Sequence, residues 1–173
     1  PFGQEAIRKC IGDISSNPPV VYGVDLAKSV DWTVAVGLDE AGAVCRLDRY
    51  QLPWEETVRK LAQEIGSVSA VVDSTGVGDP IVERLQRELS NVEGYNFSSS
   101  SKQKLMEGLA VAIQSSEVRY PQGVIVSELD IFTYEYTRTG VRYSAPDGMH
   151  DDCVMALALA VYGRTGAAGV GVW

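Results

Sequence analysis

Apolar residues along this chain fall into short runs and helically spaced sets, which together predict the order of strands and helices. Three runs rich in β-branched residues, Val20–Asp25, Trp32–Leu38 and Val44–Leu52, are separated by short turns and predict an antiparallel meander. Two later runs, Val68–Asp73 and Val92–Phe97, predict buried strands four and five.

Helical spacing of apolar residues separates the later strands. The spacing predicts helices beginning near Pro53, Asp79 and Ser98, and an apolar helix follows from Asp151 to Arg164. Strands joined by a helix pair in parallel, so strands four and five are expected to extend the meander in parallel. The prediction is an α/β fold: a mixed five-stranded sheet, three antiparallel strands then parallel strands, with helices on both faces. This order of elements is typical of ribonuclease-H-like folds.

The remaining segments are less regular. Residues 124–132 are consistent with a short helix or strand, and 133–145 predict a β-hairpin insertion, either a flap over a cleft or a plain connector. Residues 1–19, with a short helix and the break at Asn17-Pro18-Pro19, read as a linker or tail from an upstream domain. The glycine-rich residues 165–173 read as a flexible tail, which leaves 20–164 as the predicted domain.

Composition narrows the function classes only partly. At 173 residues the chain is expected to form one domain, and no apolar run approaches the roughly 20 residues of a membrane span. Three widely spaced cysteines argue against a disulfide framework or a zinc site. A net charge of −8 disfavours tight non-specific binding to nucleic acid but leaves a local basic groove possible.

Acidic residues stand where three of the predicted elements begin or end. Asp25 closes strand one, Asp73 closes strand four, and Asp151 and Asp152 open the last helix. Taken singly, each has a structural explanation as a turn residue, a loop residue or a helix cap. If strands one and four are neighbours, the four carboxylates converge and would repel one another without cations. Hard carboxylate oxygens suit Mg²⁺ or Mn²⁺, and two such ions can support in-line phosphoryl displacement.

Three motifs around these acids resemble the nuclease motifs of the large terminase subunit of tailed bacteriophages. The resemblance covers residues 20 to about 163. The motifs are Gly23-Val24-Asp25-Leu26-Ala27 with Asp31, Val71-Val72-Asp73-Ser74-Thr75-Gly76, and Gly148-Met149-His150-Asp151-Asp152 with the apolar helix after it; Ser100-Ser101-Lys102-Gln103-Lys104-Leu105 is similar to that family's helix start.

The resemblance implies a metal-dependent endonuclease that cuts concatemers of double-stranded viral DNA during genome packaging. It implies two ions, Mg²⁺ or Mn²⁺, held by Asp25, Asp73, Asp151 and Asp152, and reached by Asp31 through water. Which of Asp151 and Asp152 is the direct ligand stays open. In the full-length protein the implied partners are an ATPase domain, the small terminase and the portal. The implied location is the host cytoplasm at the procapsid portal, with no membrane partner and an isolated domain that is monomeric.

One departure from the family concerns the motor. The chain has no G-x-x-x-x-G-K-[ST] phosphate loop, so it is expected to be the nuclease half alone. His150 is a candidate outer-shell group, although local packing at the helix start is the favoured explanation. Five basic residues are candidates for phosphate contacts or ordinary solvated charges: Lys28, Lys102, Lys104, Arg138 and Arg142.

Three other functions are compatible with the same residues. A junction-resolving nuclease would use the same fold and acids on branched DNA. A nucleotide-binding domain of the actin and sugar-kinase type also places an acid on its first strand, but it needs two such lobes. A structural DNA-binding or docking domain would not depend on metal.

Overall fold

A computed structural model describes residues 2–27, 32–75, 78–137, 140–144 and 151–170, the backbone alone at 78–79, 133–137, 140–144 and 166–170. Within these ranges the chain forms six helices and seven strands. They are α1 (Gln4–Lys9), β1 (Val21–Asp25), β2 (Thr33–Leu38), β3 (Val44–Tyr50), α2 (Trp54–Ile65), β4 (Ser69–Asp73), α3 (Gly78–Glu88), β5 (Val92–Tyr95), α4 (Ser99–Gln114), α5 (Val124–Ile131), β6 (Thr133–Thr137), β7 (Gly140–Ser144) and α6 (Asp152–Val170).

The main sheet has the strand order β3-β2-β1-β4-β5. β1, β2 and β3 pair antiparallel, and β4 pairs parallel with both β1 and β5. This confirms the mixed five-stranded sheet predicted from the sequence. The antiparallel half meets the parallel half at β1, and β1 and its parallel neighbour β4 are the two strands that end in Asp25 and Asp73.

Alternating side chains on the strands build a separate apolar core on each face of the sheet. One core lies under α6, with α1, α4 and α5 around it, and takes Val21, Val36 and Val71 from the strands. The other lies under α2 and α3 and takes Val24 and Val72. Residues on a strand that differ by two in number share a face, so Asp25 and Asp73 lie on the α6 face.

Residues 2–19 pack against the rest of the fold, where a linker or tail was predicted for residues 1–19. Ile7 and Cys10 are fully buried in the α6-side core. The Tyr120 hydroxyl donates to the Ile7 carbonyl at 2.9 Å, and the Ser15 amide donates to the Val44 carbonyl at 2.9 Å. The segment ends at the two prolines, 18 and 19, and stays packed on the domain because the apolar side of α1 is buried.

The C-terminal helix also continues past the predicted boundary. α6 runs to Val170, so residues 165–170 are helical where a flexible tail was predicted. The glycines at 166 and 169 are weak helix formers, but Ala167 and Ala168 favour a helix that is already nucleated and packed upstream.

The irregular region resolves into a helix and a hairpin. Residues 124–131 form α5 rather than a strand, and β6 and β7 pair antiparallel with Thr137 opposite Gly140, as the hairpin prediction requires. A role for the hairpin as a flap stays a prediction. Across the described helices, none is both long and apolar enough to cross a membrane.

Candidate active site

Asp25 and Asp73 end neighbouring parallel strands in the same register. Val24 of β1 is paired with Val72 of β4, and each aspartate follows its valine by one residue. Adjacent strands lie about 4.8 Å apart, so the two carboxylates stand side by side on one face. Both side chains are buried, with 8% of Asp25 and none of Asp73 exposed. Two neighbouring buried carboxylates form the sheet half of the candidate site.

The first turn of α6 supplies the other two predicted acids. The Asp151 carbonyl accepts the Met155 amide at 3.0 Å, which makes Asp151 the residue just before the helix. Asp152 is the first helical residue and is 6% exposed, whereas Asp151 is half-buried. The positive end of the helix dipole favours both carboxylates at this position.

Hydrogen bonds from backbone amides to side-chain oxygens fix the chain that follows each strand-end acid. The Thr75 amide donates to Asp73 Oδ1 at 2.8 Å, a turn in which the carboxylate orders its own loop. Thr75 Oγ1 in turn accepts the Phe97 amide at 2.7 Å, which ties this loop to the end of β5. After Asp25, the Ala27 amide donates to Thr33 Oγ1 at 3.0 Å and holds the turn against β2.

Glu128 is a buried acid at this site that sequence reasoning missed. Its side chain reaches from α5, and Oε1 accepts the Cys153 amide at 2.8 Å and the Val154 amide at 3.1 Å. Burial is the largest effect and raises the pKa of Glu128 to about 7, although these two amides lower it. Glu128 of α5 therefore accepts the hydrogen bonds of two amides in the first turn of α6. The available signal was weak, because Glu128 is one of two acids in the stretch 124–131, the other being Asp130.

Arg49 and Trp32 were also missed, and they flank the same row of side chains. Arg49 of β3 pairs with Val34 of β2, which pairs with Asp25, so the three share a row and a face. The Arg49 guanidinium carbon lies 4.7 Å from the centroid of the Trp32 ring. The Trp32 amide donates to Asp152 Oδ2 at 3.4 Å. A period-two reading of β3 would have placed Arg49 on the face of Leu47.

The other predicted site residues lie on α4 or outside the residues whose side chains are described. Lys102 is half-buried and Lys104 exposed on α4. Lys104 lines a groove beside Ala158, which lies about 9 Å along α6 from Asp152. Lys28, Asp31, Arg138 and His150 lie outside the described residues, and Arg142 is described only in its backbone.

The donor set fits a hard divalent cation in its chemistry. Asp25, Asp73, Asp151 and Asp152 offer only carboxylate oxygens, which Mg²⁺ and Mn²⁺ prefer. Among the described residues, no three His, Cys, Asp or Glu side chains are already grouped as a metal site. The fit therefore rests on the kind of ligand and on the adjacent strand ends.

Comparison with known proteins identifies the fold at the level of the family. A family model described as the terminase RNaseH-like domain matches residues 22–162. The large terminase subunit of Thermus phage G20c is 32% identical over 92% of this chain. The chain covers 35% of that protein, about a third of its length.

Solved structures agree with the family model. The large terminase nuclease from phage G20c with bound magnesium is 30% identical, covers 91% of this chain and 94% of its own, and superposes with a TM-score of 0.78. Other structures of that nuclease contain cobalt or zinc. The nuclease domain of the Thermus phage P74-26 large terminase is 26% identical, with 90% and 91% covered and a TM-score of 0.73. This chain therefore belongs to the terminase RNaseH-like domain family.

Proposed function

We propose that this chain is a divalent-metal-dependent endonuclease that cuts double-stranded viral DNA concatemers as the nuclease part of a large terminase. One observation carries the proposal: Asp25 and Asp73 stand side by side at the ends of parallel strands, on the face that α6 covers. Family membership and the related nuclease with bound magnesium support it.

In this proposal the four aspartates hold two ions, Mg²⁺ or Mn²⁺. Asp25 and Asp73 bind from the rigid sheet, and Asp151 and Asp152 bind from the start of α6. Bound ions supply Lewis-acid stabilisation of the phosphoryl oxygens and the leaving 3′ oxygen. The two-ion count and the water-mediated contact of Asp31 are parts of the proposal, as is an outer-shell place for His150.

The protein's own contribution is to hold these acids in place before the ions and DNA arrive. Asp73 is ordered by the Thr75 amide and Asp152 by the Trp32 amide. Glu128 fixes the first turn of α6 through two further amides. Preorganised ligands avoid the cost of ordering them during the reaction.

The biological setting is also a proposal, because the chain spans only about a third of its curated relatives. We place the protein in the cytoplasm of an infected bacterium at the procapsid portal. An ATPase domain, the small terminase and the portal are its proposed partners, and the isolated domain is proposed to be a monomer. Family membership favours this function over a junction-resolving nuclease or an actin-type nucleotide-binding domain.

The test is cleavage of supercoiled plasmid by the purified chain with Mg²⁺, with Mn²⁺ and with a chelator. Nicked and linear products are expected only with metal, and Asp25→Asn or Asp73→Asn is expected to lower cleavage at least 100-fold. Glu93→Gln is the matched control: Glu93 pairs with Val71, so it lies on the same face but away from the strand ends, and it is exposed.

Two outcomes would overturn the proposal. Folded Asp25→Asn and Asp73→Asn variants that cut as the wild type does would show that the site is elsewhere. DNA binding without any metal-dependent cutting would favour a structural DNA-binding domain instead. Comparing branched with linear duplex substrates separates the packaging nuclease from a junction-resolving one.

A further inference from the structure

Arg49 places a positive charge on the face of the sheet that carries the acids. It lies in the same cross-strand row as Asp25, with Val34 between them, so its Cα is about 10 Å from that of Asp25. Arg49 is therefore within electrostatic reach of the strand-end acids.

Within the described part of the chain the Arg49 guanidinium is only partly satisfied. Its Nε is buried and has no hydrogen-bond partner there. Side-chain ion pairs among the described residues involve Arg8, Lys9 and Lys60, not Arg49. A buried donor without a partner is costly, so a movement of the side chain that brings this donor to an acceptor would recover free energy.

Trp32 restricts where the guanidinium can go. The ring lies 4.7 Å from the Arg49 guanidinium carbon, a cation–π distance. The backbone of Trp32 is itself held by the Asp152 carboxylate at 3.4 Å. One residue thus links the orientation of Arg49 to the first turn of α6. The planar fork of an arginine suits the oxygens of a phosphate.

We propose that Arg49, held by Trp32, contacts a backbone phosphate of the DNA strand that lies at the carboxylates. This inference rests on the proposed nuclease function and adds a phosphate-binding residue to it. The chemical need is clear, because a chain of net charge −8 with four acids at its site must hold a polyanion there. A role as counter-charge to the carboxylates alone would explain the position but predicts no effect on the DNA contact.

The first measurement is the salt dependence of binding to a short DNA duplex. Binding is followed by fluorescence anisotropy in Ca²⁺, with a gel to confirm that the duplex stays intact. Arg49→Gln is expected to reduce the slope of log K against log salt by about 1, the signature of one lost phosphate contact. Arg46→Gln is the matched control, because Arg46 is exposed on the opposite face of β3 and its Nη1 donates to the Cys45 carbonyl.

The second measurement is plasmid cleavage in Mn²⁺. Arg49→Gln is expected to lose at least about tenfold in rate, and Arg46→Gln to match the wild type. If thermal melting shows that Arg49→Gln is not folded, Arg49→Lys is used instead. This variant should have the wild-type salt slope but cut more slowly, because lysine keeps the charge and lacks the planar guanidinium.

The inference is overturned if folded Arg49→Gln has the same salt slope as the wild type. If Arg49→Lys has to be used, the inference is overturned when that variant cuts as fast as the wild type. Absence of cutting by the wild type would instead defeat the proposed function. The salt slopes of wild type, Arg49→Gln and Arg46→Gln would still decide the phosphate contact by themselves.

Discussion

Gly23 of β1 packs against the backbone of α6 so closely that a Cβ there would lie 2.1 Å from the Ala156 carbonyl oxygen. The same Cβ would lie 2.3 Å from the Ala160 amide nitrogen. Both contacts are with backbone atoms, which cannot rotate away. The helix therefore crosses the sheet at its closest approach two residues before Asp25. That crossing sets how near the first turn of α6 lies to the strand-end acids.

Gly23→Ala should separate helix and sheet. The added methyl group cannot be accommodated by a side-chain rotation, so we expect a loss of about 3 kcal/mol or more in the free energy of unfolding. Urea unfolding followed by circular dichroism measures it. Cleavage should fall further than the change in folded fraction explains, because Asp151 and Asp152 would move with α6.

Gly108→Ala is the control for this substitution. A Cβ at Gly108, which lies on the exposed side of α4, would meet nothing within 4 Å. Replacing glycine by alanine in a helix interior should stabilise the protein by up to about 1 kcal/mol. If Gly23→Ala and Gly108→Ala change the free energy of unfolding equally, the distance between α6 and β1 is larger than in the structure.

Much of the fold was accessible from the sequence because its local signals agree with one another. Runs of β-branched residues, turn residues between them and helical spacing after Pro53 each specify one element, and the crossover rule then fixes parallel pairing of β4. The meeting of Asp25 and Asp73 followed from strand adjacency alone. Their roles as ligands remain a prediction, since strand order fixes position and not function.

The parts that escaped prediction depend on contacts between distant segments. Glu128 cannot be told from Asp130 of the same short helix until its contact with Cys153, 25 residues away, is known. Arg49 reads as a solvated charge until β3 is placed beside β2. The N-terminal segment was assigned to a linker because its prolines are a local signal, whereas the burial of Ile7 is a tertiary one.

Metal should stabilise the folded chain independently of any cutting. An ion that binds only the native state at 100 times its dissociation constant adds about 2.7 kcal/mol. We expect Mg²⁺ or Mn²⁺ to raise the melting temperature of the wild type in calorimetry without DNA. Asp25→Asn should abolish most of that increase, because it removes the charge of one of the four proposed ligands.

Glu93→Gln is again the matched control for metal stabilisation. Its exposed carboxylate shares the face of the sheet but not the strand ends, so its metal-dependent increase should equal that of the wild type. A melting temperature that metal raises equally in Asp25→Asn and in the wild type would place the bound ions elsewhere.

Glu128→Ala should weaken the start of α6. The substitution leaves two buried amides, those of Cys153 and Val154, without their acceptor, and we expect a loss of about 2–4 kcal/mol in the free energy of unfolding. Glu128→Gln keeps a carbonyl oxygen and should lose far less. Hydrogen exchange can locate the effect, because faster exchange should appear first at the amides of 153 and 154. Global loosening without that local signal would contradict the capping role.

The pH dependence of stability should carry the signature of Glu128. Its pKa is about 7 in the folded chain against about 4.5 when unfolded, so the folded state holds its proton more tightly. Stability from this group is complete below pH 4.5 and declines as the pH rises through 7, by about 3 kcal/mol in total. Glu64, whose pKa is also raised to about 7, is present in both proteins when wild type and Glu128→Gln are compared, so its effect cancels. Urea unfolding from pH 4.5 to 8 should therefore show the wild type losing stability relative to Glu128→Gln as the pH rises. If the stabilities of the two proteins change with pH in parallel, Glu128 ionises in the folded protein as it does in the unfolded chain.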